Sequence, residues 1–511
     1  MKNSKLLLII FILLLAKTSS YAQPESFYHE FSIYFNDSVT LAFQQNSYQI
    51  SDSTYLSSGN YGPNFYGLGG RVIWDSAGNV LDAKYLDVDE SFYLNGLARI
   101  DSNRFLLYGS FDLYHDSTGN LIDNPPVFVC FNQAGDVLWQ NRYGEHAPGF
   151  PDIEEPYYDY AEGFSDVLID SVNERLYAIG VSNSFNAEHV YKPYVVCTDY
   201  YGDTIWTWVM ENNEGQGTGE LTGGIINNDG DLILIGQLSD INGTRVTYRR
   251  GLILKISSDG IMQWYRLWGE YEYYNGPQSK DIIQTETDKY VIAATYFQCD
   301  TCIDWVGMLL EVDDTGTILN QKYITRGEYE IIKIYKLFKR NYGFDVIGSF
   351  RITENGSIVN GNFFVNKYTN DLNIISETNY GNAGDSFGIR GISKTYDGGY
   401  LFTGYGGEQN NIVMKADSLL NLPVSEGWNY IDINYADTKI SYYPNPVSNT
   451  LSIKSSSEML IKDLKLYDMY GRIVFQKQAN KNSLKLDVSN IESGIYILRI
   501  NNAYSGKIII K

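Results

Sequence analysis

Short apolar runs broken by polar, glycine-containing turns recur along nearly the whole chain, and the runs are of strand length rather than helix length. One phrase sets the pattern: Asp397-Gly398-Gly399-Tyr400-Leu401-Phe402-Thr403-Gly404. Related phrases close at positions 59, 109, 180, 236, 294, 348 and 404, spaced by 50, 71, 56, 58, 54 and 56 residues. A second landmark accompanies them. Val127-Phe128-Val129-Cys130-Phe131 enters Asn132-Gln133-Ala134-Gly135-Asp136, and the apolar run resumes at Val137-Leu138-Trp139, which predicts a hairpin. Similar turns fall at Gly78, Gly202, Gly260 and Gly316, then at Asn370-Asp371 and Ser418, and Trp139, Trp206 and Trp264 each follow a turn glycine by four. Each repeat thus predicts four short strands. Seven repeats between Gln23 and Leu422 predict a seven-bladed β-propeller, with the ring closing near Trp428.

The two ends differ from this middle. Met1 to Ala22 has Lys2 and Lys5, an apolar run from Leu6 to Ala16, and Ser20-Tyr21-Ala22 before Gln23, the pattern of a secretory signal peptide. Eleven apolar residues fall short of the roughly twenty that span a bilayer, and no later stretch comes closer, so the mature chain predicts no transmembrane segment. From Lys439 onward the chain carries 11 basic and 5 acidic residues, whereas the stretch from Gln23 to Thr438 carries 25 basic and 56 acidic, a net of −31. A region that acidic argues against nucleic acid or anionic lipid as partner.

The last seventy residues form a small module of their own. Tyr443-Pro444-Asn445-Pro446-Val447 leads in, and the prolines predict a stiff, extended entry. Apolar runs follow, broken at Tyr470-Gly471 and Ser493-Gly494, with Leu464, Leu466, Met469, Ile473 and Val474 seeding one sheet and Ile495, Ile497 and Ile500 another. The expectation is an immunoglobulin-like β-sandwich over 443–511, after a linker at 433–442 and the propeller at 23–432.

In order, Pro444-Asn445-Pro446, Leu466-Tyr467-Asp468-Met469-Tyr470-Gly471, Gly494-Ile495-Tyr496 and the closing Lys507-Ile508-Ile509-Ile510-Lys511 resemble the type-A C-terminal sorting domain of the type IX secretion system of Bacteroidetes. The resemblance implies a sorting signal in Pro444, Asn445, Pro446, Gly471 and Gly494. It implies as partners the type IX machinery and its sortase-like peptidase, and a secreted or outer-membrane-surface location reached through the periplasm. The repeats look like the Asp-x-x-Gly-x-x-x-Trp blades of exported bacterial propellers.

Function in the middle region points to loops. The 71-residue spacing reflects an insertion at 143–162, and a shorter related loop covers 268–280. Both join consecutive blades, and in a propeller such loops share a face with the middle loops within blades; long loops on a rigid scaffold commonly carry binding. The candidate face is Glu154, Glu155, Tyr157, Tyr158, Tyr160, Tyr273 and Tyr274. Tyrosine presents a flat apolar face and a hydroxyl, which suits glycan and protein alike, and the carboxylates suit Ca2+. Cys299 and Cys302 predict a disulfide pinning a loop in an oxidising compartment, while Cys130 and Cys197 occupy equivalent strand positions in adjacent repeats. The four histidines form no metal or triad pattern, and no other cofactor is implied. The reading is a non-enzymatic binding propeller. The alternative is a secreted hydrolase or lyase acting on polysaccharide.

Overall fold

The structure, a computed structural model, describes residues 27–31, 34–35, 39–61, 68–76, 79–88, 92–111, 114–115, 121–123, 125–144, 163–182, 191–211, 216–242, 245–269, 276–297, 305–324, 330–354, 357–380, 388–405, 411–418, 420, 440–455, 460–468, 472–500 and 504–511. Among them it is all-β, with many small sheets and no helix. No helix among the described residues is long and apolar enough to cross a membrane. Two compact units result: Met1–Phe338 with Ile347–Phe363 and Gly381–Asn429, and Lys339–Val346 with Phe364–Tyr380 and Tyr430–Lys511.

The second, third and fourth sequence repeats each yield an antiparallel four-strand meander, and the first adds a two-residue strand, Tyr34–Phe35, to the same plan. The third is Gly163–Asp170, Arg175–Ser182, Lys192–Asp199 and Thr204–Val209, hydrogen-bonded in chain order. The fourth is Gln216–Ile226, Leu232–Asn242, Arg245–Ile256 and Met262–Trp268. The fifth and sixth are joined by a single parallel bridge, Trp305 to Ile331. In the second, the middle loop carries its own ribbon, Tyr114–His115 with Leu121–Asp123. The sheet of the last repeat differs from the pattern. Its fourth strand is Phe27–Phe31, from the opposite end of the chain, paired antiparallel with Asn411–Ala416. Local pattern has no access to a partner that distant in sequence.

A register irregularity that the sequence did not announce accompanies the closing glycines at 180, 236 and 404. The first strand of each of several repeats carries a bulge: between Leu94 and Gly96, Phe164 and Asp166, Leu221 and Gly223, Ser279 and Asp281, and Ile389 and Gly391. The bulge presses that strand's backbone onto the second strand at the closing position. A Cβ on Gly180, Gly236 or Gly404 would lie 1.9–2.0 Å from a first-strand carbonyl oxygen, so glycine is required there.

The tryptophans that follow the turns have a matching role. Each reaches forward to the next repeat. The ring of Trp139 lies against Gly202 and that of Trp206 against Gly260, while their indole N–H groups donate to Tyr200 O (3.2 Å) and Ser258 O (3.0 Å). Arg71 does the same from the first repeat, donating to Ala134 O at 2.8 Å.

Apolar cores lie between sheets rather than within them. Phe128, Cys130 and Tyr143 of the second repeat pack with Phe164, Ala178 and Tyr194 of the third. Tyr177, Ile179 and Cys197 of the third pack with Leu221, Leu234 and Leu254 of the fourth. Cys130 and Cys197 are both free and buried, each opposite a tryptophan, Trp139 and Trp206. Burial pushes both thiols up to about 12.

The tail is a two-sheet sandwich. One sheet holds Ile440–Tyr443, Thr450–Ser455 and Ser483–Asp487; the other holds Ile473–Lys481, Ile461–Tyr467, Gly494–Ile500 and Tyr504–Ile510 in that spatial order. The two apolar groups expected to seed separate sheets therefore share one. The facing alternates too: Tyr496, Leu498 and Ile500 enter the core, whereas Ile495, Ile473 and Val474 are exposed.

Candidate functional site

Much of the expected loop face lies outside the described residues: Glu154, Glu155, Tyr157, Tyr158, Tyr160, Tyr273 and Tyr274, as do Cys299, Cys302 and Gly471. The roots of both loops are described, and the re-entry point of each lies beside a wall of one cavity. The first insertion leaves the second repeat at Tyr143, which is buried and donates its hydroxyl to Gly202 O at 2.9 Å. It re-enters at Gly163, the register partner of Val181. The second loop re-enters at Gly276, so close to Arg249 that a Cβ there would sit 1.6 Å from the Arg249 carbonyl oxygen.

Val181 and Arg249 are both walls of a cavity of about 270 Å3 between the third and fourth repeats. Its other walls are Tyr191, Thr218, Gly219, Glu220, Gln237 and Ser239. Strand pairing builds it. Glu220 lies directly across from Gln237, and Ser239 directly across from Arg249. The Gly219 N–H donates to Tyr191 O at 2.8 Å, which ties the fourth repeat to the third. The Gln237 amide nitrogen donates to a Glu220 carboxylate oxygen. That bond fixes the amide, leaving its buried carbonyl oxygen with no donor among the described residues. Lys280 stands nearby: burial pulls its ammonium down, Glu220 resists, and Lys333 adds to the fall. None of these residues was expected to line a site. The adjacent Arg249-Arg250 in so acidic a region was the one signal available.

Polar side chains also latch the first strands of successive repeats together. Asn46 and Tyr48 donate to Leu97 O, both at 3.1 Å; Asn95 donates to Phe164 O at 2.9 Å; Thr222 donates to Ser279 O at 2.9 Å. Asp281 accepts from the Leu337 N–H (2.6 Å) and from the Lys336 ammonium (3.0 Å). Between the first and seventh repeats, the Tyr396 N–H donates to Gln49 Oε1 at 2.6 Å, and Arg99 of the second repeat donates to the Tyr396 hydroxyl at 3.2 Å. Asp166 and Asp281 follow the bulge at the same place in the third and fifth repeats. Burial raises the Asp166 carboxyl; Lys336 opposes the rise and Asp281 adds to it. Burial lowers the Lys336 ammonium, but Asp281 and Asp166 outweigh it, so the net shift is upward. No group of three or more metal-ligating side chains occurs among the described residues.

In the tail, the expected signal residues Pro444, Asn445 and Pro446 form a strap rather than a free lead-in. Neither proline can donate a backbone hydrogen bond. The Asn445 amide replaces what they lack: its nitrogen donates to Lys507 O at 2.8 Å, and its oxygen accepts from the Ile509 N–H at 2.8 Å. Val447 continues the pairing, donating to Ile509 O and accepting from the Lys511 N–H, both at 2.8 Å. Gly494 begins the strand paired with the chain's last strand, opposite Ile510.

A sandwich whose entry strap is sewn to its own final strand defines a compact terminal module. Residues 441–511 match the family described as the secretion system C-terminal sorting domain. The match supports type IX secretion, and implies export to the cell surface or extracellular space and engagement with the secretion machinery. No curated protein sequence matches this chain. Among solved structures, the chain is similar to PorZ, an essential surface component of the type IX secretion system of Porphyromonas gingivalis. Identity is 12%, with 90% of this chain and 64% of PorZ covered and a TM-score of 0.36, so the chain spans just under two thirds of that protein. It is also similar to Drosophila Semaphorin 2a (7% identity, 94% and 97% covered, TM-score 0.41). Polysaccharide lyase Uly1 is a third (10%, 79% and 95% covered, TM-score 0.44). Scores at this level assign no function to the present chain.

Proposed function

We propose that this is a Bacteroidetes protein with a cleaved signal peptide at 1–22, exported by the type IX route, whose seven repeats close into a propeller that binds glycan or protein without catalysis. The match of residues 441–511 to the sorting domain carries the export part. Ring closure is supported by the strand Phe27–Phe31 in the last sheet and by the Gln49 and Arg99 bonds to Tyr396. Binding at the loop face is supported by the cavity at the roots of the two tyrosine-rich loops. After transport, the sortase-like peptidase removes the tail, and the repeat region remains at the surface or is released.

The test is expression of the full chain in a type IX-competent host, with and without residues 443–511. The intact chain reaches the surface or medium and loses about the tail's mass; the shortened chain stays in the periplasm. Equal export of both overturns the sorting assignment. For the face, the secreted protein is probed on glycan and protein arrays with and without Ca2+. Turnover of a polysaccharide in place of simple binding overturns the non-enzymatic reading.

A further inference from the structure

We propose that the outer edge of the tail strand Ile473–Lys481 is a docking edge for an extended, acidic segment of a partner protein, which adds to the sheet as a further strand. The inference rests on the tail being a sorting module, and it names the part of that module that is read.

Strand order selects the edge. The larger tail sheet runs Ile473–Lys481, Ile461–Tyr467, Gly494–Ile500, Tyr504–Ile510. Its far edge is closed, because Asn445 and Val447 bond along the last strand at Lys507 O, Ile509 N–H and O, and Lys511 N–H. The near edge is open. Ile473–Lys481 pairs with Ile461–Tyr467 on one side, and among the described residues no strand pairs with its other side. Alternate backbone N–H and C=O groups on that side point outward and can template a further strand. The strand has nine residues, against four and five for the edges of the smaller sheet, Ile440–Tyr443 and Ser483–Asp487.

Side chains then select the partner. Phe475 packs against the core and anchors the strand, while Ile473 and Val474 are 50% and 40% exposed, an apolar foothold at odds with an edge that merely repels. Lys477 and Lys481 are exposed, and no Asp or Glu occurs from 469 to 486. The carboxylates on the neighbouring strand and turn are engaged: Asp463 with Lys465 at 3.0 Å and Asp468 with Arg472 at 2.7 Å. A second copy of the strand, paired antiparallel about its centre, would set Lys477 against Lys477, and like charges directly opposite are destabilising. An acidic strand meets the same lysines as opposite charges and gains the backbone ladder as well. With 11 basic and 5 acidic residues from Lys439 onward, the whole tail attracts such a segment.

Export of the full chain is measured in a type IX-competent host for wild type, for Lys477→Glu with Lys481→Glu, and for the chain lacking 443–511. Lys454→Glu with Lys485→Glu makes the same charge change at exposed positions of the other sheet. Lys477→Gln with Lys481→Gln replaces the first pair if that pair lowers the melting temperature. In parallel, the full chain is purified from a host without the route, so that the tail stays attached. It is titrated with two synthetic peptides, alternating Glu-Val and alternating Lys-Val. The edge variant should be exported about tenfold less than wild type and should bind the Glu peptide about tenfold more weakly, with the other double variant unaffected. Normal export of the edge variant, with the shortened chain still retained, overturns the edge and leaves the sorting module standing. Equal loss in both double variants assigns the effect to net charge and overturns the edge too. If the Glu peptide fails to bind, or the Lys peptide binds as well, the acidic occupant is overturned. Export of the shortened chain overturns the sorting reading beneath it.

Discussion

The repeats and the tail are both antiparallel β-structure, yet they are held together in opposite ways. In the repeats, apolar clusters are shared by two consecutive sheets, and first strands are latched by polar side chains reaching to the neighbouring backbone. A repeat so built has no private core. The tail closes its core on itself: Val447, Leu451, Leu464, Leu498 and Ile508 form one cluster, and the Asn445 strap seals the edge. A module with a core of its own draws its stability from that core, whereas a repeat array gains rigidity by sharing.

The hardest blow to the shared architecture is Lys415→Met. Lys415 is fully buried and pairs with Asp397 at 2.7 Å, so the substitution strands a carboxylate that is only 12% exposed. A loss of about 3–5 kcal/mol is expected for breaking such a pair from one side, read by urea denaturation. A loss below 1 kcal/mol would mean that the last sheet is not where the array is locked.

Next comes Gly236→Ala, whose new Cβ would meet Glu220 O at 2.0 Å. Overpacking of this kind costs about 1–3 kcal/mol, seen as a lower Tm of the repeat transition with the tail unaffected. Asn445→Ala is its counterpart in the tail. Losing one donor and one acceptor costs about 1–2 kcal/mol and should lower the tail transition alone. If both transitions move together in either variant, the independence of the two regions is wrong.

Acid titration separates two carboxylates of opposite sign. Burial works against ionisation of Asp397, but Lys415, Thr395 and the Gly399 N–H outweigh it and lower its pKa. Its contribution is therefore full above the unfolded value near 3.9 and is lost as pH falls through the lower folded value. Asp166, raised by burial, contributes below its unfolded value and loses that contribution as pH rises through its folded one. Melting curves from pH 7 to 3 should show Asp166→Asn stabilising at neutral pH and Asp397→Asn destabilising there; the reverse order would refute the assignment. The smallest effect is expected for Gly494→Ala, where the nearest atom to the new Cβ is 3.4 Å away on the Tyr496 ring. Stability should change by less than about 0.5 kcal/mol, so any export defect in that variant reads as recognition rather than folding.

The sequence showed what is local and repeated. The turn glycines and their tryptophans, the strand count per repeat and the proline-bracketed asparagine were all visible, because turn chemistry and period-two alternation act within a few residues. What stayed hidden depends on partners far along the chain. The bulges that force Gly180 and Gly236 arise from pairing, as does the meeting of Glu220 with Gln237. Sheet membership in the tail went astray for the same reason: Ile461–Tyr467 pairs with Gly494–Ile500, across the intervening strands. The role of Asn445 was missed because its amide stands in for backbone, which no pattern of apolar residues records.

The strand Phe27–Phe31 sets an order of events in the life of the chain. It is among the first described segments to leave the ribosome, and its partner Asn411–Ala416 is among the last made before the tail. The final sheet cannot be completed until nearly all of the polypeptide exists. A pairing that spans the repeat region is slow to find, so the repeats between its two ends have time to form before it does.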